Sequence, residues 1–178
     1  MPNLLRVKAL PDVPRWAAVA AHAVPLIAVP SGLWRIALVV GLPVAAAPVT
    51  TVPGAAYVLF LSVLSECLAL LTLGLVRGWG ETVPHWIPYL GRRRVPPLAA
   101  VVPALLGAAA GAALVAWFTY ANVVGIGEGT IGSPAQDIFL LVCYVPLVAW
   151  PPLLAAVALA YHRRRKAAAP VMAMGGPR

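Results

Sequence analysis

The sequence predicts an all-α polytopic membrane protein, a four-helix antiparallel transmembrane bundle with Pro-kinked helices, on three observations. Of 178 residues, 62% are hydrophobic and 10% charged, with a mean hydropathy of +0.90, more apolar surface than a soluble domain of this size can bury. Four apolar runs, Trp16 to Leu42, Gly54 to Val76, Pro97 to Tyr120 and Ile138 to Tyr161, each reach the roughly 20 residues that cross a bilayer core. Finally, 12 of the 13 Lys and Arg residues fall in alternate connecting segments. Residues 1–161 therefore read as one transmembrane domain, and 162–178 as a basic, disordered tail.

The cationic segments are Arg6, Lys8 and Arg15 before the first run, Arg77 and Arg92 to Arg94 after the second, and Arg163 to Lys166 and Arg178 after the fourth. The segments 43–53 and 121–137 hold no Lys or Arg but carry Glu128 and Asp137. By the positive-inside rule both termini are cytoplasmic, which expects a multi-pass protein of a bacterial cytoplasmic membrane. The formal charge of +8 then needs no nucleic acid. It sets orientation and meets anionic lipids of the inner leaflet. A cleavable leader ending near Ala45 to Ala47 is rejected, because its apolar stretch would be too long and would contain Arg35.

In the first run, Pro25 and Pro30 are followed at once by Ser31 and Gly32, a combination that can interrupt a helix. The second run carries Ser62, Ser65, Glu66, Ala69 and Thr72 within an arc of about 120° at helical periodicity, one small and polar stripe turned from lipid. The third holds Gly107 and Gly111, a small-residue face for close helix packing, within one chain or between copies of a homo-oligomer. The fourth starts with Ser133 as cap, Pro134 in first helical position, Gln136 to close a capping box and Asp137 at the positive helix end. Further along, Pro146, Pro151 and Pro152 deprive the carbonyls of Val142, Leu147 and Val148 of their usual donors.

Glu66 is the costliest side chain, about 15 Å from either face of the core by its place in the run. An ionisable group there is a functional candidate, as proton carrier or counter-ion. Arg35 is the available cation, but on a straight first helix it lies roughly 14 Å from Glu66 in depth, so pairing requires the helix to break at Pro30 to Gly32. Otherwise Arg35 is an interfacial anchor snorkelling outward beside Trp34. His22, on the first run, is placed to relay protons toward Glu66 through water or to act as a hydrogen-bonded packing residue. Among the polar residues of the stripe, Ser62, Ser65 and Thr72 complete the candidate intramembrane site.

A second candidate lies in the long cytoplasmic connection, where Trp79 and Trp86 suit the headgroup region, Glu81 and His85 are a possible acid and base, and Arg92, Arg93 and Arg94 can hold a phosphate. Its alternative is an interfacial belt and topology signal. The outer Gly127 to Gly132 spells GxGxxG but lacks the strand and helix that give the fingerprint its meaning. Cys67 and Cys143 fall at different depths and are not expected to bridge. His22, His85 and His162 have no metal-ligand spacing, so neither metal nor cofactor is expected.

The segments Gly32 to Arg35 (GLWR), Gly78 to Glu81 (GWGE), Pro84 to Trp86 (PHW) and Gly91 to Arg93 (GRR) resemble those of small uncharacterised four-span membrane proteins of actinobacteria. The resemblance implies the same membrane architecture and carries no activity. Three function classes follow: binding or transport of a small solute or lipid-like molecule around Glu66; an enzyme acting on a lipid or isoprenoid head group through the cytoplasmic connection; or a non-catalytic accessory or scaffold subunit.

Overall fold

The computed structural model describes residues 12–47, 49–77, 96–126 and 131–174, with side chains to residue 167. The described chain is helical throughout: α1 (Arg15–Val40), α2 (Val52–Gly74), α3 (Pro97–Val124), α4 (Pro134–Tyr144) and α5 (Trp150–Met174), with a 3₁₀ turn over Val145–Ala149 joining α4 to α5. Four helical stretches are long and apolar enough to cross a membrane, α4 and α5 together forming the fourth. The four spans expected from the sequence are thus present, with ends moved by a few residues.

The ends follow local chemistry. Thr51 caps α2 by accepting from the Gly54 N–H, and α1 and α3 stop at Gly41 and Gly125, whose φ values of 85° and 74° lie in the left-handed region that favours glycine. At α4 the capping box forms as expected: Ser133 Oγ accepts from Gln136 N, and Gln136 Oε1 accepts from Ser133 N at 2.8 Å. The same Gln136 donates through Nε2 to the Pro43 carbonyl at 2.9 Å, and Ala46 N–H donates to the Ile131 carbonyl at 2.9 Å. One side chain therefore both starts α4 and ties the α1–α2 connection to the start of α4.

Two expectations are corrected. The first concerns α1, which runs unbroken through Pro25, Pro30, Ser31 and Gly32. A proline removes one donor each time, and the rest of the ladder suffices when neighbouring helices surround the site; Ser31 Oγ donates back to the Ala28 carbonyl at 2.8 Å. The second concerns the fourth span, where the chain tightens before Pro151 and Pro152, so that Trp150 N–H donates to the Leu147 carbonyl. The two prolines then occupy the first turn of α5, where no N–H is required. Beyond the fourth span, α5 extends to Met174, as the good helix formers Arg163 to Ala169 allow.

Packing places α1 against α2 on one side and against α4 and α5 on the other, while α3 packs mainly on α5. One buried cluster joins Ala20 and Ala21 of α1 with Leu75, Val76, Val101, Val157, Ala158 and Tyr161. A second joins Val24 and Ala28 with Ala69 of α2, with Leu147, Trp150 and Leu153 against it. Small side chains on α1 let two neighbours approach at once. Most large apolar side chains of α2 and α3 face outward, including Phe60, Leu106 and Leu114, the arrangement expected where lipid is the solvent.

The small-residue face of α3 is used within the chain. A Cβ on Gly111 would meet Pro151 Cγ at 3.1 Å, whereas one on Gly107 would meet Leu154 Cδ2 at 3.9 Å. Gly111→Leu is accordingly expected to wedge α3 from α5 at a cost of about 1–3 kcal/mol, seen as a lower thermal midpoint in detergent. Gly107→Ala, which meets only ordinary contact, should leave that midpoint unchanged.

Candidate functional site

Arg35, Ser65 and Glu66 come together where α1, α2 and α4 meet. Arg35 Nη1 donates to Ser65 Oγ at 3.3 Å, and Ser65 Oγ in turn donates to the Ser62 carbonyl at 2.9 Å. On its other side the guanidinium lies over the Tyr144 ring, 5.4 Å from the centroid, a cation–π geometry. Tyr144 is itself held edge to face by Trp34, with centroids 5.7 Å apart and planes at 84°. Arg35 is therefore oriented from two sides by a hydroxyl and an aromatic ring, and is half-buried.

The Glu66 carboxylate lies against the backbone of α1 at Gly32. A Cβ there would stand 3.4 Å from Glu66 Oε1, so the carboxylate packs within van der Waals reach of the α1 backbone. The Arg35 donor contacts Ser65, the residue before Glu66 in sequence. Among the described residues, Glu66 has neither an ion pair nor a hydrogen bond. The result is a carboxylate beside a cation but not clamped by it, with acceptor oxygens left for an incoming proton or cationic group.

Helix break and pairing were expected to stand or fall together; α1 runs unbroken, and Arg35 donates to Ser65 rather than pairing with Glu66. An unbroken α1 brings Arg35 to Ser65 because α1 and α2 are staggered. Gly32 lies about 12 Å from the end of α1 at Val40, whereas Glu66 lies about 21 Å from the start of α2 at Val52, at 1.5 Å per residue. The helices therefore overlap with α2 overhanging at that end, and the Arg35 backbone lies only about 4–5 Å beyond Gly32 along the axis. An arginine side chain spans that distance easily. The 14 Å figure assumed that every helix is centred on the same plane.

The rest of the expected polar site divides. Ser62 is buried and donates to the Val58 carbonyl at 3.0 Å, while Thr72 is buried with Oγ1 lacking a hydrogen-bond partner. With Ala69 fully buried between them against α1, the stripe on α2 faces inward. His22 stands apart: it is about 15 Å along α1 from Gly32. Both of its ring nitrogens are engaged, Nδ1 donating to the Ala18 carbonyl at 2.7 Å and Nε2 accepting from Arg77 Nη2 at 3.0 Å. This contact and the Gly32–Glu66 contact fix the register of α1 on α2 at two levels.

Trp79, Glu81, His85, Trp86, Arg92, Arg93 and Arg94, the interfacial candidates, lie outside the described residues, as does the Gly127 to Thr130 part of the α3–α4 connection. Cys67 and Cys143 are both free, one exposed and one buried. Sequence reasoning missed two members of the site. Gly32 was read as a helix breaker, and instead lies inside an unbroken α1 beside the Glu66 carboxylate. Tyr144 was not singled out, although a phenol inside an apolar run is a signal in itself, since its polar tip needs a partner.

No family model, curated protein or solved structure matches this chain. The functional reading therefore rests on the residues themselves.

Proposed function

We propose that this chain is a multi-pass protein of a bacterial cytoplasmic membrane, with both termini cytoplasmic, that binds or moves a small solute or lipid-like molecule at Glu66. The supporting observation is the state of that carboxylate: it lies in the interior of a membrane-length helix, against Gly32, without a hydrogen bond from any described residue. Hydrocarbon cannot stabilise such a charge, so a proton or the cationic part of a solute must. Arg35, held on Ser65 and Tyr144, is near enough to repel a bound cation and to take over the carboxylate once that cation leaves. Such an arrangement favours exchange over permanent pairing, which a fixed salt bridge would enforce.

A bilayer-permeant carbodiimide reacts with protonated carboxyl groups, and is expected to modify Glu66 with labelling that declines as pH rises. Peptide mass spectrometry reads the position. Absence of the adduct at Glu66 across the acid range, with the reagent shown to be active on water-exposed Asp12 of the same preparation, would remove the proposal.

A further inference from the structure

At the end of the bundle opposite the capping box, a groove of about 750 Å³ opens between the start of α1 and the basic end of the fourth span. Its floor is apolar, made by Ala156, Leu159 and Ala160 with the exposed ring of Trp16, and its rim carries Asp12, Arg163 and Arg164. Beneath it the space between the helices closes to about 10 Å³ around Ala17, Val76, Val157 and Tyr161, so an occupant remains at the surface. The guanidinium of Arg164 lies over the Tyr161 ring at 5.5 Å, which fixes one cation at the rim. Arg163 and Asp12 are both exposed, line the same groove, and make no ion pair with each other or with any described residue.

We infer that this groove binds a phospholipid whose head carries both a phosphate and a primary ammonium, as in phosphatidylethanolamine. Three features select that occupant. The apolar floor lies at the end of membrane-length helices, where acyl chains begin. Arg163 and Arg164 offer charge-assisted hydrogen bonds to a phosphodiester. Asp12 offers a carboxylate to an N–H-bearing cation, and opposes a head group whose charge is only negative. A soluble phosphate would use the rim and leave the floor unused. The inference does not depend on the reading of Glu66, which lies on α2 and outside the groove.

The experiment is native mass spectrometry of the full chain after exchange into equimolar phosphatidylethanolamine, phosphatidylglycerol and phosphatidylcholine of identical acyl chains. The wild type is expected to retain the ethanolamine lipid in preference to the other two. Arg163→Ala should reduce retention of all three by about tenfold, the order expected for loss of a hydrogen bond to a charged group. Asp12→Asn should abolish the ethanolamine preference without lowering retention of phosphatidylglycerol. Glycerophosphoethanolamine, the head group without acyl chains, should fail to compete. Equal or greater retention of phosphatidylglycerol by the wild type overturns the inference, as does unchanged retention in Arg163→Ala or effective competition by the acyl-free head group. Thermal midpoints of the variants, expected to equal the wild type because both altered side chains are exposed, separate loss of binding from loss of fold.

Discussion

Proteoliposomes carrying Glu66→Gln are expected to lose pH-driven flux by more than about tenfold, the scale of one lost charge-assisted contact, while folded yield stays at the wild-type level. Glutamine keeps the size of the side chain and its fit against Gly32. It removes the charge and the titratable proton. Because no described residue hydrogen-bonds to Glu66, the substitution strands no protein donor, and the usual penalty for breaking a polar network does not arise. The fold is therefore indifferent and the function is not. The measurement is quenching of an internal pH dye after an imposed proton gradient, with a panel of small cations and amphiphiles as co-substrates. Wild-type flux in the Gln variant would eliminate Glu66 as the working group.

Arg35→Gln should have the opposite profile, a large effect on folding that depends on what stands at position 66. Removing the guanidinium leaves Ser65 Oγ and the face of the Tyr144 ring without their cation and leaves Glu66 with no positive charge at the junction of α1, α2 and α4. Folded yield and thermal midpoint should fall, and the double variant Arg35→Gln/Glu66→Gln should regain part of the loss, a coupling of about 1–3 kcal/mol. Additive effects would show that Arg35 is held by Tyr144 and Ser65 alone and that the carboxylate does not sense it. Thermal denaturation of the four proteins in one detergent closes the cycle.

The architecture was legible because it depends on quantities a sequence carries directly. Length and hydropathy of a run decide whether it can span, so the four long helices were found with ends off by only a few residues. The cap at Ser133 with Gln136 was legible for the same reason, since its partners are three residues apart and need no other part of the chain. The inward stripe of Ser62, Ala69 and Thr72 followed from the helical period alone. Proline was over-read: Pro25 and Pro30 sit in an unbroken α1, because their neighbours decide whether a missing donor matters.

What the residues by themselves determined is that an acid must sit deep in the second helix and a cation must sit toward the far end of the first. Only the tertiary structure decided that an unbroken α1 brings that cation to Ser65, the neighbour of the acid in sequence, because axial register is set by interlocking surfaces, here Glu66 against Gly32 and Arg77 against His22. Hydropathy says how long each helix is; it contains no information on how far one slides past the next.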